Sequence, residues 1–398
     1  MIQWQNQRQA MKNRSDRPIK LLLVTHYYPN HRGGVEIVAG KLVDYLLKIG
    51  SIDITWLASN VDAPPPDQPG LWCMPMPANN WIEKKLQIPY PLWTIPALYR
   101  LWKLIQNTDI IHIHDYLYFS NLTAFLFAKI QKKRLIITQH IGFIPYNNPL
   151  FRWLLSFLNA TLGCWILRHA DQTIFISDVV QKYFFEKTKF RQPALLIPNG
   201  VETSIFCPTD EGDRLNHRQQ LNLPLEQPIF LFVGRFVEKK GLLILRALTQ
   251  QFPDVYWLFA GWGSLDPNSW QRPNIRVFSD LQSSQLTPIY QVADLLILPS
   301  KGEGFPLVVQ EAMACGTPVM VGTETAKACL AAESLIFSET VESGDVVQCW
   351  SAGIREILQD HAKLTQLRTT VAAFAQQYWN WQQTADRYYE IIRHYSLL

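Results

Sequence analysis

The chain has 398 residues, of which 48% are hydrophobic and 18% charged, so it is long enough to bury two separate cores. Its formal net charge of +4 is small for this length and argues against an extended nucleic-acid surface, while still suiting an approach to phosphates or anionic lipid. The six cysteines are scattered, with no CxxC pair and no metal-binding spacing, which predicts reduced thiols and a cytoplasmic location.

The chain opens with a polar segment over residues 1–17. This segment lacks the apolar stretch of a secretory signal. We interpret it as a flexible tail.

Short runs rich in Ile, Val and Leu alternate with amphipathic segments along the chain, a pattern typical of parallel strands alternating with covering helices. The runs of a first series lie at 19–25, 52–58, 110–114, 134–140, 173–177 and 195–198. Those of a second series lie at 229–234, 255–261, 275–278, 295–300 and 318–322. We therefore predict an α/β protein with two doubly wound parallel sheets, separated by a stretch of linker composition at about 201–228.

Residues 150–170 form one segment that would be long enough to span a bilayer if its polar residues were ignored. Arg152, Asn159 and Thr161 interrupt it. The apolar residues that recur at helical spacing are Leu154, Leu155, Leu158, Leu162 and Ile166. We expect a buried helix of a soluble domain rather than a membrane span.

Gly33 and Gly34 follow the first predicted strand and precede an amphipathic segment. The apolar residues on one side of that predicted helix are Val35, Val38, Leu42, Leu46 and Ile49. Paired glycines let the backbone approach a ligand, and a helix start offers N–H groups and a positive dipole end to an anion. Since the dinucleotide pattern GxGxxG is absent, the pair is either a phosphate site or plain turn geometry.

Arg235 directly follows the first strand of the second series, and Lys240 lies five residues later, before a helix led by Gly241. A guanidinium fork and an ammonium group at the mouth of a sheet suit the two groups of a diphosphate. Taken alone, the two residues could equally be solvated loop charges.

The stretch KGEGFPLVVQEAMACGTPV, residues 301–319, contains two carboxylates eight positions apart. Pro306 suits the first turn of a helix, so Glu303 should stay in the loop while Glu311 lies about 7 Å further along the helix axis. Carboxylates so separated can accept hydrogen bonds from two hydroxylated parts of one elongated ligand. Sugar hydroxyls at one end and ribose hydroxyls at the other match a nucleotide sugar.

Four motifs together carry a family resemblance: GGVE after the first strand, IPNGV at 197–201, VGRFVEKKG at 233–241, and the ExxxxxxxE that leads into EAMACGTPV. In combination they resemble the retaining glycosyltransferases of GT-B family 4, from about residue 19 to the end of the chain. The resemblance implies two Rossmann-like domains facing a central cleft. It places an acceptor domain at 18–203, a nucleotide-sugar donor domain at 204–379, and a last helix at 380–398 that crosses back to the first domain.

The resemblance also implies roles for individual residues. Glu303 would contact hydroxyls of the donor sugar, Glu311 the ribose, and Gly34 would offer its amide to the distal phosphate. The residues so assigned to catalysis are Glu303, His140, Arg235 and Lys240, and those assigned to donor binding are Gly33, Gly34, Gly304, Phe305, Leu307 and Glu311. His140 would lie beside the donor sugar, and its alternative interpretation is a satisfied histidine that caps a strand.

Fixed cations and amides aimed at the diphosphate would stabilise the charge that develops on the leaving group. The chain has no DxD pair to hold Mg²⁺ or Mn²⁺, so we expect neither a metal nor another cofactor. We expect a UDP-sugar donor and retention of anomeric configuration, by attack from the same face rather than through Glu303 as a covalent nucleophile. Two departures from the family weaken only local comparisons: Pro306 and Ser279 stand where many relatives have glycine.

Residues 77–104 concentrate aromatic and basic side chains, and a second basic run follows at 132–134. The residues concerned are Trp81, Tyr90, Trp93 and Trp102, with Lys84, Lys85, Lys132, Lys133 and Arg134. Such aromatics stack on sugars, sit at lipid interfaces or fill a core equally well. We expect a glycan or lipid-linked acceptor here, and we hold peripheral contact with the cytoplasmic membrane face as a hypothesis.

The segment at 378–395 carries apolar and aromatic residues at helical spacing: Trp381, Ala385, Tyr388, Ile392 and Tyr395. Two other function classes stay open. A non-catalytic nucleotide-sugar or glycan sensor could use the same scaffold, although Glu303, Arg235 and Lys240 together argue against it. A nicotinamide oxidoreductase lacks its dinucleotide fingerprint, and no nucleic-acid partner is expected.

Overall fold

The computed structural model describes residues 17–31, 33–86, 90–142, 149–342 and 344–397. The chain divides into a first unit, Met1–Pro198 with Trp381–Leu398, and a second unit, Asn199–Asn380. The predicted tail at 1–17 lies outside the described residues apart from Arg17.

The first unit is built on a parallel sheet and a short antiparallel pair. Its strands are β1 (Ile19–Val24), β2 (Ile52–Ser59), β3 (Leu71–Met76), β4 (Ala78–Asn79), β5 (Leu92–Trp93), β6 (Ile110–His114), β7 (Arg134–Gln139), β8 (Gln172–Phe175) and β9 (Leu195–Leu196). The seven-stranded sheet has the order β3-β2-β1-β6-β7-β8-β9, and β4 pairs with β5. Every neighbouring pair of the large sheet is parallel.

Among the described residues, seven α-helices precede the second unit in the chain. They are α1 (Gly34–Ile49), α2 (Trp81–Leu86), α3 (Ile95–Gln106), α4 (Phe119–Ile130), α5 (Pro149–Leu158), α6 (Cys164–His169) and α7 (Asp178–Phe185). One core cluster joins buried residues of α3, α4, α6 and α7 to alternate residues of the strands, including Ile111, Ile113 and Ile137. These four helices therefore cover one face of the sheet.

The second unit repeats the architecture with a six-stranded parallel sheet. Its strands are β10 (Ile229–Arg235), β11 (Tyr256–Trp262), β12 (Ile275–Phe278), β13 (Leu295–Leu298), β14 (Val319–Gly322) and β15 (Phe337–Glu339), in the order β12-β11-β10-β13-β14-β15. Its helices are α8 (Glu211–Gln220), α9 (Leu242–Gln251), α10 (Ser283–Val292), α11 (Leu307–Ala314), α12 (Thr323–Ala326), α13 (Val346–Gln359) and α14 (His361–Tyr378). Two such sheets in one chain confirm the prediction of an α/β protein with two doubly wound parallel sheets.

The last helix, α15 (Trp381–Leu397), belongs to the first unit. It packs on α1 and contacts β6 and β7. Tyr388 lies with its ring 5.6 Å from that of His112 and its hydroxyl 3.1 Å from Thr138 Oγ1. His112 and Thr138 alternate with the strand residues of the α3–α7 core, so α15 covers the opposite face of the sheet. All five residues predicted for its apolar stripe are buried.

Several local expectations need correction. The stretch at 201–228 is not a linker, because α8 lies within it and its Arg214 and Arg218 are buried in ion pairs with Asp294. The units meet at Pro198–Asn199 rather than at 203–204, since the Val201 N–H donates to Trp379 O inside the second unit.

Besides the short pair β4 and β5, two strands of the parallel sheets were missed, for different reasons. β3 is an edge strand that contains a proline and an exposed tryptophan, so it does not form an apolar run. β15 has only three residues.

The single buried helix predicted for 150–170 is wrong in its first half. The segment folds as α5, a π-helical turn (Asn159–Gly163) and α6. Ile166 is buried as expected, whereas Leu154 is exposed. The segment carries two apolar sides, and only one of them faces the core. None of the described helices is both long enough and apolar enough to cross a bilayer.

Candidate functional site

Each parallel sheet reverses its strand order at one place, and ligands of such sheets bind at the carboxyl ends of the strands beside that place. In the first unit the order reverses between β1 and β6, and in the second between β10 and β13. Gly33, Gly34, Arg235, Lys240 and Glu303 all follow one of these four strands. These predicted site residues therefore lie at the two switch points, whereas His140 follows β7, one strand further along the first sheet.

At the second switch point, Lys240 and Glu303 form an ion pair with Nζ and Oε1 2.8 Å apart, both side chains being mostly buried. A backbone hydrogen bond holds together the loops that carry them, since the Lys301 N–H donates to Lys239 O at 3.1 Å. Sequence reasoning placed both residues in the site, but it did not predict that they touch.

Gly241 explains why the two loops can approach so closely. Its φ of 81° lies in the left-handed region, and a Cβ built at this position would be 2.3 Å from Pro299 O. Only glycine fits both conditions. The loop after β10 is thus pressed against the end of β13, and this contact places Lys240 beside Glu303.

The remaining donor-side residues sit along α11 and the loop before it. The helix begins at Leu307 directly after Pro306, so Glu303 is in the loop and Glu311 inside the helix, as the sequence predicts. The Tyr290 hydroxyl donates to Glu311 Oε2 at 2.7 Å, which orients that carboxylate. Phe305 is buried with its ring against Trp379, so its side chain serves the core while its backbone, like that of Gly304, belongs to the loop.

Arg235 ends β10 and is exposed. Its guanidinium is therefore accessible at the same edge of the sheet as Lys240. This edge carries two cations beside one carboxylate, and such a set suits an anionic ligand that also offers hydroxyl groups.

At the first switch point, the segment around Gly33 is shaped by Glu36 in the first turn of α1. Glu36 Oε1 lies 2.7 Å from His26 Nε2, and both side chains are buried. Burial opposes the charge of Glu36, but the imidazole of His26 outweighs it and lowers the pKa of the carboxyl. A Cβ at Gly33 would meet Glu36 Oε2 at 2.1 Å, whereas one at Gly34 would meet nothing within 4 Å. A side chain at Gly33 would therefore displace the Glu36 carboxylate from its place, whereas one at Gly34 would displace nothing.

His140 follows β7 and is buried against a second histidine. Its Nε2 lies 2.9 Å from His114 Nδ1, so one ring donates to the other. Burial lowers the pKa of His140 to about 3 and that of His114 well below its ordinary value. Both imidazoles are therefore neutral at pH 7.

Asp115 links the ends of β6 and β7 beside this pair. It accepts a hydrogen bond from the His140 N–H at Oδ1, 2.7 Å away, and it adopts φ 60°. Its other oxygen, Oδ2, is buried and has no hydrogen-bond partner among the described residues. Burial raises the pKa of this carboxyl to about 7. Asp115 is placed to fix the position of the His140 backbone.

Sequence reasoning missed His26, Glu36, His114 and Asp115. A signal was available for three of them, because His26 follows β1, and His114 and Asp115 stand at the end of β6, where polar residues of a doubly wound sheet meet a ligand. Nothing in the sequence indicated that Glu36 folds back onto His26.

The aromatic residues of 77–104 divide between core and surface. Trp93 is buried and Trp102 packs edge-on against Phe127 at 5.1 Å, whereas Trp81 is exposed. An open cavity of about 640 Å³ lies in the same region, lined by Asn60, Val61, Ala78, Asn79, Asn80, Lys84 and Thr94. None of the residues assigned to the donor lines this cavity.

Two protein-family models match the chain in succession. The model described as Glycosyltransferase Family 4 matches residues 32–205, and the model described as Glycosyl transferases group 1 matches residues 213–371. Together they cover most of both units.

Curated relatives share about a quarter to a third of their aligned residues with the chain. The D-inositol 3-phosphate glycosyltransferase of Corynebacterium urealyticum is 27% identical over 313 residues, covering 72% of this chain and 71% of that protein. The protein of the same description from Mycolicibacterium smegmatis is 31% identical over 199 residues, covering 47% of this chain and 44% of its own length.

Solved structures match over nearly the whole chain. Sucrose-phosphate synthase from Thermosynechococcus elongatus has a TM-score of 0.73 at 19% identity and covers 94% of this chain and 98% of that one. Anabaena HepE, solved in complex with UDP and glucose, has a TM-score of 0.69 at 16% identity and covers 94% and 100%. At these identities the likeness concerns the fold.

Proposed function

Since this chain is a glycosyltransferase that belongs to family 4 of the GT-B fold, we propose that it moves a sugar from a UDP-sugar to a hydroxyl of a glycan or lipid-linked acceptor, with retention of anomeric configuration. The proposal places the reaction in polysaccharide or glycoconjugate biosynthesis in the cytoplasm. The observation that carries it is the Lys240–Glu303 pair beside Arg235 at the second switch point.

Lys240 and Glu303 act on different parts of the donor. When the anomeric C–O bond breaks, its electrons go to the diphosphate, and the Lys240 ammonium and the Arg235 guanidinium stabilise that charge. Glu303, held by Lys240 at 2.8 Å, accepts a hydrogen bond from a hydroxyl of the donor sugar. Glu311, oriented by Tyr290, accepts from the ribose. In this scheme two fixed cations serve the diphosphate, and we propose that no metal is required.

Retention follows if the acceptor attacks from the face that the diphosphate leaves. The acceptor oxygen bonds to the anomeric carbon, and its proton passes to the departing phosphate oxygen. His140 is neutral at pH 7, because burial lowers its pKa to about 3, so we assign it a hydrogen bond to the donor sugar rather than proton transfer. The Gly34 amide, in an open setting at the start of α1, is assigned to the distal phosphate.

The acceptor is assigned to the first unit. The cavity beside β4 and α2 presents the amides of Asn60 and Asn79 and the ammonium of Lys84, groups that bind hydroxyls and acidic substituents. Similar curated proteins are described as acting on D-inositol 3-phosphate, so a phosphorylated polyol belongs in the acceptor set to be tested.

The test is nucleotide release from UDP-, GDP- and ADP-sugars with a mixed acceptor set, for the unmodified enzyme and for Lys240→Ala and Glu303→Ala. We expect Lys240→Ala to lower the rate at least tenfold, roughly 1.4 kcal/mol in the barrier. Lys363→Ala removes an exposed lysine in the first turn of α14 and should leave the rate unchanged.

Three outcomes would count against the proposal. An unchanged rate in Lys240→Ala would reject the role of that ammonium. A rate abolished by EDTA and restored by Mg²⁺ would reject metal independence. Tight binding of a nucleotide sugar with no release in any acceptor mixture would point to a non-catalytic binding protein.

A further inference from the structure

Helix α5 exposes an apolar stripe to solvent. Leu150 is 72% exposed, Trp153 63%, Leu154 42% and Phe157 52%. Their spacing of three, four and seven residues places them on one side of the helix. The rings of Trp153 and Phe157 stack with centroids 5.8 Å apart, so the stripe presents a continuous aromatic surface.

The other side of this segment faces the first unit. Leu155 and Leu158 are partly buried, and beyond the π-helical turn Ile166 and Leu167 are buried in the core. The exposed side continues at Trp165, which packs edge-on against Phe125 of α4 at 5.3 Å. A helix that is apolar on two sides normally has both covered, and here the protein covers one.

The charges of residues 95–170, which include α3, α4, α5 and α6, are almost all positive. Residues 95–170 contain eight Lys and Arg and only two acids, Asp109 and Asp115. Asp109 pairs with Arg17, and Asp115 is buried against the His140 N–H. The exposed basic residues of this stretch are Arg100, Lys103, Lys132, Arg152 and Arg168. The helices α3, α4, α5 and α6 contain no acidic residue.

We propose that the outward side of α5 docks on an anionic membrane surface, with Leu150, Trp153, Leu154 and Phe157 inserted among the lipids and the neighbouring Lys and Arg on the headgroups. The combination of an aromatic and leucine stripe with a basic surround is typical of helices that lie in the plane of a membrane interface. Ten residues at ~1.5 Å each give about 15 Å, half of a bilayer core, so α5 does not span.

Charge decides between a membrane and a second copy of the chain. In a two-fold symmetric contact the same face of each copy would meet, and the basic residues around α5 would be brought opposite one another. Like charges so placed repel, whereas anionic headgroups attract them.

This surface differs from the one expected from 77–104, where Trp93 and Trp102 are occupied in packing. Only the consequence of docking depends on the proposed function: docking through the first unit would bring the acceptor-binding unit to lipid-linked acceptors. The docking itself needs no turnover and can be measured without it.

The experiment is co-sedimentation of the full chain with vesicles of phosphatidylcholine alone and with vesicles that also contain phosphatidylglycerol. We expect at least tenfold stronger partitioning onto the anionic vesicles. Trp153→Ser/Phe157→Ser should lower that partitioning at least tenfold, and Arg152→Gln/Arg168→Gln should lower it at least threefold. The matched control, Trp72→Ser/Tyr378→Ser, removes two exposed aromatic residues elsewhere and should bind like the unmodified chain.

Equal binding to both vesicle types, no binding, or an equal loss in the control would overturn the proposal. So would a dimer in sedimentation velocity that Trp153→Ser/Phe157→Ser dissociates, since the partner would then be a second copy. Calorimetric titration with UDP separates the two proposals. Binding to vesicles but not to UDP would reject the proposed donor. Binding to UDP but not to vesicles would reject the proposed docking surface.

Discussion

At the switch point of the second unit, Lys240 and Glu303 meet as a mostly buried charged pair, whereas beside that of the first unit His140 and His114 meet as buried neutral rings at the ends of β7 and β6. The same strand topology thus supports two electrostatic environments. In the second unit the fixed charges suit a ligand that carries charge of its own. In the first, the neutral imidazoles of His114 and His140 offer hydrogen bonds that suit hydroxyl groups of a ligand.

The glycines at the two switch points offer the largest contrast. Gly241→Ala should destabilise the second unit by about 3 kcal/mol, because its φ of 81° disfavours a side chain and the new Cβ would collide with Pro299 O. Gly34→Ala meets open space and should change the unfolding free energy by less than about 1 kcal/mol. Urea denaturation of both variants measures this difference.

The same pair tests the phosphate site. If a phosphate approaches the backbone at Gly34, the alanine variant should bind UDP-sugar more weakly while keeping its stability. Similar midpoints of unfolding for the two variants would show that the close contact at Pro299 is not what holds the second loop.

The next effect concerns which buried histidine matters for the reaction. His140→Asn should lower kcat about thirtyfold, roughly 2 kcal/mol, because a hydrogen bond to the reacting sugar is lost or misplaced. His112→Asn is the matched control, since His112 is equally buried and bonds to Thr138 Oγ1 at 2.8 Å. Both variants should lose comparable stability in thermal unfolding. Equal kcat in the His140→Asn and His112→Asn variants would show that His140 has only a structural role.

A further effect is the pH dependence of the stability of the first unit. Asp115 has its pKa raised by burial to about 7, against about 4 in an unfolded chain. Folding therefore takes up a proton in this window, and the carboxyl destabilises the folded state by about 1.4 kcal/mol for each pH unit between these values as the pH rises. Asp115→Asn removes this titration and keeps an oxygen for the His140 N–H.

The unfolding free energy of Asp115→Asn relative to the unmodified chain should thus increase from pH 5 to pH 7 and level off above. Urea titrations at four pH values measure it. The buried histidines, whose lowered pKa values destabilise the folded state below about pH 6.5, are present in both proteins and cancel in the difference. A difference that stays constant from pH 5 to 8 would show that Asp115 is ionised throughout.

The two parallel sheets followed from the sequence because buried parallel strands read as continuous apolar runs, whereas the strand order that sets the switch points came from the structure. Arg235, Lys240 and Glu303 could be placed at one edge for the same reason: each follows a strand, and parallel strands end on one side. β3 was not predicted because it is an edge strand with Pro75 and an exposed Trp72. Its residues form neither a continuous apolar run nor a regular alternation of apolar and polar residues.

Contacts between side chains could not be predicted from the sequence. That Glu36 turns back to His26, or that His114 lies against His140, depends on rotamers and on the register between β6 and β7. The prediction for the segment that contains α5 was wrong for a related reason. Periodicity identifies an apolar stripe, but when a helix has two such stripes the sequence does not show which one is buried.

Helix α15 has a consequence for how the chain is made. It closes one face of the first sheet, with Tyr388 against β6 and β7, yet residues 199–380 separate it from the rest of that unit. On the ribosome, α1 covers only part of that face until the second unit has emerged, and during this interval the uncovered part is exposed to chaperones and to aggregation. The unit that starts first is the one completed last.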